Sequence, residues 1–219
     1  MKRPWWRALC APVICAGFLA PAQAALVSFI GGSITIPGSE TVGPGNPYPS
    51  TVNVSGLTGT VSSLDVLLLG LSHEIPDDLD ILLVAPGGQT LLLMSDVGGS
   101  PTINAIDLTF RDGSPSLTDN GPLVSGTYAP TNFDVGVFDD SFPAPARSGP
   151  YGTTIANLLT SDANGSWQLF TTDDAAGDVG ALGSWRLDFT TSESVSEPSA
   201  LALVGIVFAA MGFARRRAK

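Results

Sequence analysis

The sequence predicts an all-β protein, a jelly-roll β-sandwich flanked by a signal peptide and a single C-terminal hydrophobic helix. Three observations predict the sandwich. Apolar residues between the two ends come in short runs, many alternating with period two; Gly, Pro, Asn, Asp and Ser punctuate those runs; and no stretch sustains a helical period. Composition agrees: 44% of residues are hydrophobic and only 14% charged, which suits a folded core even with 25 glycines and 17 prolines.

The elements follow in order. Residues 25–36 form a weak edge strand, and 25–59, rich in Gly, Pro, Ser and Thr, is a lead-in with edge strands. Residues 61–73 carry Leu67, Leu69 and Leu71 on one face and Leu64, Val66 and Leu68 on the other. Residues 79–85 put Leu79, Ile81 and Leu83 on a shared face, and the turn Pro86-Gly87-Gly88 leads into a strand at 90–94 to make a hairpin. Further strands are expected at 106–110, 133–138, 167–172 and 185–190, with a helical turn at 154–159 and an exposed Pro- and Gly-rich loop at 139–152. There is no internal repeat.

Charge is distributed unevenly. Residues 25–192 hold 18 acids, three bases (Arg111, Arg147, Arg186) and no lysine, a formal charge of −15. Such a domain has no basic surface with which to neutralise phosphates, which excludes nucleic-acid binding. The remaining bases sit at the two ends, where they read as addresses.

Lys2, Arg3 and Arg7 precede an apolar run at 8–20, and Ala22-Gln23-Ala24 offers a cleavage site between Ala24 and Ala25, so 1–24 reads as a secretory signal for the export translocon. Cys10 and Cys15 both lie inside it, which leaves the mature chain without cysteine or disulfide. At the other end, a polar stretch leads to Ser196-Glu197-Pro198, then to an apolar run at 200–214 and to Arg215-Arg216-Arg217. As a helix the run spans about 22 Å, somewhat short of a bilayer core, and the arginines hold that end in the cytoplasm. The 193–219 segment resembles the PEP-CTERM sorting signal of exopolysaccharide-producing Gram-negative bacteria, with Ser196 in place of the first proline. That resemblance implies recognition by an exosortase, a membrane-embedded protease, and transient residence in the inner membrane. A plain membrane anchor is the alternative.

Three signatures occur in order within 60–192. The first is Leu71-Ser72-His73, followed by Asp77-Asp78-Leu79-Asp80-Ile81-Leu82-Leu83 and Pro86-Gly87-Gly88; the second is Gly126-Thr127-Tyr128-Ala129-Pro130. The third joins Gly165-Ser166-Trp167-Gln168-Leu169 to Asp173-Asp174, Gly177-Asp178-Val179-Gly180-Ala181-Leu182 and Trp185-Arg186-Leu187. Together they resemble the P domain (P/Homo B) that follows the catalytic domain of subtilisin-like proprotein convertases. The resemblance implies a β-jelly roll and a non-catalytic role beside a protease.

The residues limit the chemistry. His73 is the single histidine of the chain, and no Gly-x-Ser-x-Gly elbow accompanies it, so no serine-protease triad is expected. It reads as a hydrogen-bonded histidine at a strand end. One histidine and no mature cysteine also argue against a zinc site. Calcium is the cofactor the carboxylates suit: Asp77, Asp78 and Asp80 lie on one loop-to-strand stretch, and Asp173, Asp174 and Asp178 on another Asp- and Gly-rich loop. The competing reading is that Asp78 and Asp178 only cap turns and hydrogen-bond backbone amides. Trp167 and Trp185 read as core rather than as sugar-stacking platforms. The expected function is therefore that of an exported, non-enzymatic module of the cell envelope or extracellular matrix, binding or structural, with exopolysaccharide as a partner. The alternatives are an envelope glycan hydrolase using a carboxylate pair and a regulatory module for a separate subtilisin-like protease.

Overall fold

A computed structural model describes residues 24–38, 42–133 and 140–192. The signal segment expected before Ala24, the sorting tail expected with Ser196, Glu197, Pro198 and a helix at 200–214, and nearly all of the strand expected at 133–138 lie outside the described residues. Among the described residues no helix is long and apolar enough to cross a membrane.

In chain order the strands are β1 Ala24–Gly31, β2 Ile34–Ile36, β3 Gly43–Pro44, β4 Ser50–Val54, β5 Thr60–His73, β6 Leu79–Val84 and β7 Thr90–Ser95. They continue as β8 Ile103–Phe110, β9 Gly126–Tyr128, β10 Thr131–Asn132, β11 Gly165–Asp173, β12 Gly180–Leu182 and β13 Ser184–Ser192. Short 3₁₀ turns at Pro76–Asp78 and Ile155–Leu159 are the described helical elements; the second falls where a helical turn is expected. The strands form a β-sandwich. One sheet runs β1-β13-β5-β12-β2, with β8 on β5 and β9 on β8; the other runs β10-β7-β6-β11-β3, with β4 on β11. Residues 25–59 thus supply β1 to β4, at the margins of both sheets.

The core is what the period-two pattern anticipates. From the first sheet, β13 turns Trp185, Leu187 and Phe189 inward in strict alternation; from the second come Leu79, Ile81, Leu83, Trp167 and Leu169. Both tryptophans are fully buried, and each indole N–H finds an acceptor: Trp167 donates to the Ala163 carbonyl at 2.9 Å and Trp185 to Ser50 Oγ at 2.9 Å. Buried indoles with satisfied N–H groups are packing residues, as expected. Phe189 meets the Trp167 ring edge-on at 5.6 Å.

Two departures from simple alternation matter for function. The first is in β6, whose six residues are all buried. Leu82 and Val84, on the face away from the core, pack with Leu92, Phe170 and Phe142 and against Tyr48, Ala146 and Tyr151. The 139–152 loop therefore does not simply extend into solvent: Phe142, with Tyr151 edge-on at 5.7 Å, covers the outer face of the second sheet. A strand apolar on both faces requires such a cover.

The second departure is in β5. Leu64, Val66 and Leu68 point inward, but the next inward residues are Leu71 and His73. The register against β8 slips between Leu68 and Leu71, and Gly70 has φ of 68°, open to glycine with little penalty. This bulge moves the buried set from even to odd positions. Without it His73 would share the outward face of Leu67 and Leu69.

Candidate metal centre

His73 ends β5 in the first sheet, Asp173 ends β11 in the second, and Asp178 lies on the loop that carries the chain from β11 back to β12. The three side chains, all buried, offer ligand atoms within 4.8 Å of one another. The His73 Nδ1–H donates to the carbonyl of Ile75 at 2.7 Å, which leaves Nε2 facing Asp173 Oδ2 at 3.4 Å. Nε2, Asp173 Oδ2 and both oxygens of Asp178 have no hydrogen-bond partner in the protein. The other Asp173 oxygen accepts from the Ala175 amide at 3.2 Å. Burial, and then the Asp178 carboxyl, push the Asp173 carboxyl up to about 7. Asp78, at the end of the 3₁₀ turn, is pushed up to about 6 by partial burial and by Asp178 beside it. Its carbonyl accepts from the Asp174 amide at 3.0 Å, which ties the two acidic loops together.

A second cluster lies on the outer side of β6 and contains only oxygen donors and one amide. Ser95 Oγ, at the end of β7, is 2.6 Å from Asp80 Oδ1 and 3.1 Å from Asp96 Oδ2, and it also meets Asp140 Oδ1. A hydroxyl has one proton to donate. With three carboxylates around it, at least two of these contacts need a proton or a cation from elsewhere. Asn132 Nδ2 donates to the other Asp140 oxygen at 2.8 Å, while Asn132 Oδ1 is buried without a partner. Asp80 is pushed up to about 8, chiefly by burial, with Asp140, Asp174 and Asp96 adding to the shift and the Ser95 hydroxyl opposing it.

The six aspartates expected to gather thus divide. Asp78, Asp173 and Asp178 come together around His73, while Asp174, exposed on the same loop, gives its backbone amide to the Asp78 carbonyl. Asp80 points to the other face of its strand and joins Ser95, Asp96 and Asp140. Asp77 accepts from the Gly99 amide at 3.3 Å, which ties its loop to the one that follows β7. Sequence reasoning did not place His73 among these acids, nor Ser95, Asp96, Asn132 and Asp140 around Asp80. Gly70 inside an apolar strand was the available signal for the first, since it marks a bulge. The second arises from strands and a loop distant in sequence, and nothing local announces it.

No family model and no curated protein matches this chain. Among solved structures it is similar to the serine protease of Aeromonas sobria, at 19% identity and a TM-score of 0.35, over 81% of this chain and 28% of that one. The same protease in complex with its chaperone gives 18% identity and a TM-score of 0.36, over 80% and 28%. This chain spans little more than a quarter of the protease chains it matches. A likeness this distant assigns neither activity nor partner.

Two of the domain's three arginines are paired with other acids: Arg111 with Asp65, and Arg186 with Asp188 at 2.8 Å, while the Arg147 guanidinium lies over Gly88. A groove beside β5 is lined by Asp65, Arg111 and Asp112, the kind of carboxylate pair a glycosidase would use. Both acids are already occupied: Asp65 holds Arg111, and Asp112 accepts from the Ile155 and Ala156 amides at 2.8 and 2.9 Å. A carboxylate capping a turn is poorly placed to move a proton to a substrate.

Proposed function

We propose that this chain is an exported, non-catalytic accessory module whose loop end is set by divalent cations and which acts by binding a partner. The observation that carries this reading is the density of carboxylates around β6 and β11. Asp78, Asp80, Asp140, Asp173 and Asp178 crowd there, while Arg111 and Arg186 pair with acids elsewhere. Bringing such charges together is costly unless protons or cations neutralise them. Calcium fits the cluster around Ser95, where carboxylate, hydroxyl and amide oxygens gather from strand ends and a loop.

The partner class we favour is a separately encoded subtilisin-like serine protease. The motifs that resemble the P domain support it, and their residues are the ones the sandwich uses: His73, Asp78, Trp167, Asp173, Asp178 and Trp185. The sorting tail motivates a second partner, an acidic exopolysaccharide of the envelope, met after export and exosortase processing at the cell surface. A domain of charge −15 would repel such a polymer unless a divalent ion bridged the two.

The test mixes the purified protein with a subtilisin-like protease from the same host and follows protease half-life at elevated temperature, in calcium and in EGTA. A half-life lengthened severalfold in calcium, and unchanged in EGTA, supports the protease reading. No change in either contradicts it and leaves the matrix reading, tested by calcium-dependent retention on the host's exopolysaccharide. Release of reducing ends from that polymer would overturn the non-catalytic assignment altogether.

A further inference from the structure

We propose that His73, Asp173 and Asp178 form a site for a divalent transition ion of the zinc type, inside one end of the sandwich and separate from the oxygen-only cluster around Ser95. The His73 imidazole is held on one side only. Its Nδ1 proton is committed to the Ile75 carbonyl at 2.7 Å, so in the neutral ring Nε2 presents a lone pair. That lone pair faces a carboxylate oxygen at 3.4 Å, long for a hydrogen bond. Two ligand atoms on a tetrahedral ion with bonds of about 2.1 Å lie about 3.4 Å apart.

Asp178 supplies the independent observation. It is buried to 5% exposure, and with Asp78 and Asp173 ionised neither of its oxygens has a donor. A carboxylate so placed is costly while it stays charged and unpaired. An ion that accepted lone pairs from Nε2, Asp173 Oδ2 and Asp178 would satisfy these atoms at once, and Asp78 beside Asp178 offers a fourth oxygen. The Ile75 carbonyl is the kind of second-layer acceptor that fixes the tautomer and orientation of metal-bound histidines.

Ligand type selects the ion. Calcium and magnesium take oxygen donors, whereas a nitrogen donor with two carboxylates suits zinc, manganese or iron. The carboxylates supply what a chain with one histidine and no mature cysteine otherwise lacks for zinc. Because the ligands come from both sheets and their connecting loop, the bound ion would lock the end of the sandwich and add to folding stability.

The test uses the exported protein without a histidine tag, stripped with a chelator and titrated with zinc, cobalt(II) and calcium. Zinc is expected to bind at one equivalent to this site, at least 100-fold tighter than calcium binds there. Cobalt is expected to give the visible bands of a four-coordinate centre. The chain has one histidine, so every imidazole signal in an NMR spectrum belongs to His73, and its Nε2 resonance is expected to shift with zinc. Asp178→Asn should weaken zinc at least tenfold and leave the calcium response intact, while Asp80→Asn should do the reverse. His73→Gln should weaken zinc at least 100-fold; if that variant fails to fold, Asp178→Asn and the imidazole resonance decide. An imidazole signal unmoved by zinc and cobalt, or an Asp178→Asn protein that titrates like the parent, overturns the site. Zinc binding as expected without any calcium response upholds this site and removes the calcium from the preceding proposal.

Discussion

Gly180 lies directly against His73: a Cβ built at position 180 would stand 2.3 Å from the imidazole Cδ2 and 2.3 Å from the Ser72 carbonyl oxygen. The two residues are paired across β12 and β5, so the glycine is the floor on which the ring rests. This contact gives a physical reason for glycine in the segment Gly177-Asp178-Val179-Gly180. Any side chain there would push the imidazole out of its position between the sheets.

Gly180→Ala is therefore expected to destabilise the domain by about 2–3 kcal/mol, since neither a backbone oxygen nor a buried ring can yield cheaply. Gly32→Ala is the control, because nothing lies within 4 Å of a Cβ there. Urea midpoints of the two variants measure the difference, and equal midpoints would show that the His73 contact is not tight.

Gly70→Val tests the bulge. A β-branched residue at φ of 68° is strained, and relaxing that strain means removing the bulge that turns His73 inward. A loss of about 2 kcal/mol or more is expected, together with a change in the His73 imidazole resonance. Destabilisation with an unchanged resonance would separate the bulge from the histidine's orientation.

The metal-free protein is expected to lose stability as pH rises from about 4 to 8. Asp78, Asp173 and Asp80 titrate at about 6, 7 and 8 in the folded chain, against 3.8 when free of it. Each therefore keeps its proton longer when folded, the folded state binds more protons across that window, and stability falls with pH until the highest of the three is ionised. Melting temperatures at half-unit pH steps in EGTA check this. A rise across the same window would contradict the burial of these acids.

Asp80→Asn is expected to stabilise the metal-free protein at pH 8 by about 1 kcal/mol, several degrees in melting temperature. It removes a buried charge while keeping the side chain's shape and a hydrogen-bond partner for Ser95. In calcium the sign reverses, because the ligand is lost. A substitution that destabilises in both conditions would mean that Asp80 is neutralised within the protein alone.

The sandwich was legible in the sequence because its signal is local. Leu79, Ile81 and Leu83, or Trp185, Leu187 and Phe189, report their common face through spacing alone, and Gly and Pro mark where strands stop. The short strands β3, β9, β10 and β12 were not legible, because two or three residues carry no periodicity and form only where a longer neighbour pairs with them. The site was half legible. Asp78, Asp173 and Asp178 stand out as acids on two loops, and their convergence follows from β6 and β11 being adjacent antiparallel strands with Asp173 opposite Leu79. Asp80 was assigned to the same group because sequence proximity hides the fact that strand neighbours face opposite ways. Its true companions, Ser95 and Asp140, are brought to it by β7 and by the loop that covers the outer face of the sheet.

The most direct measurement of whether divalent cations set the loop end is the melting temperature of the chelator-stripped protein at pH 8, with and without millimolar calcium. The account predicts a rise of about 10 °C or more in calcium that EGTA reverses, as expected for a ligand present well above its dissociation constant. An unchanged melting temperature would contradict it, and would mean that these buried carboxylates are neutralised by protons alone.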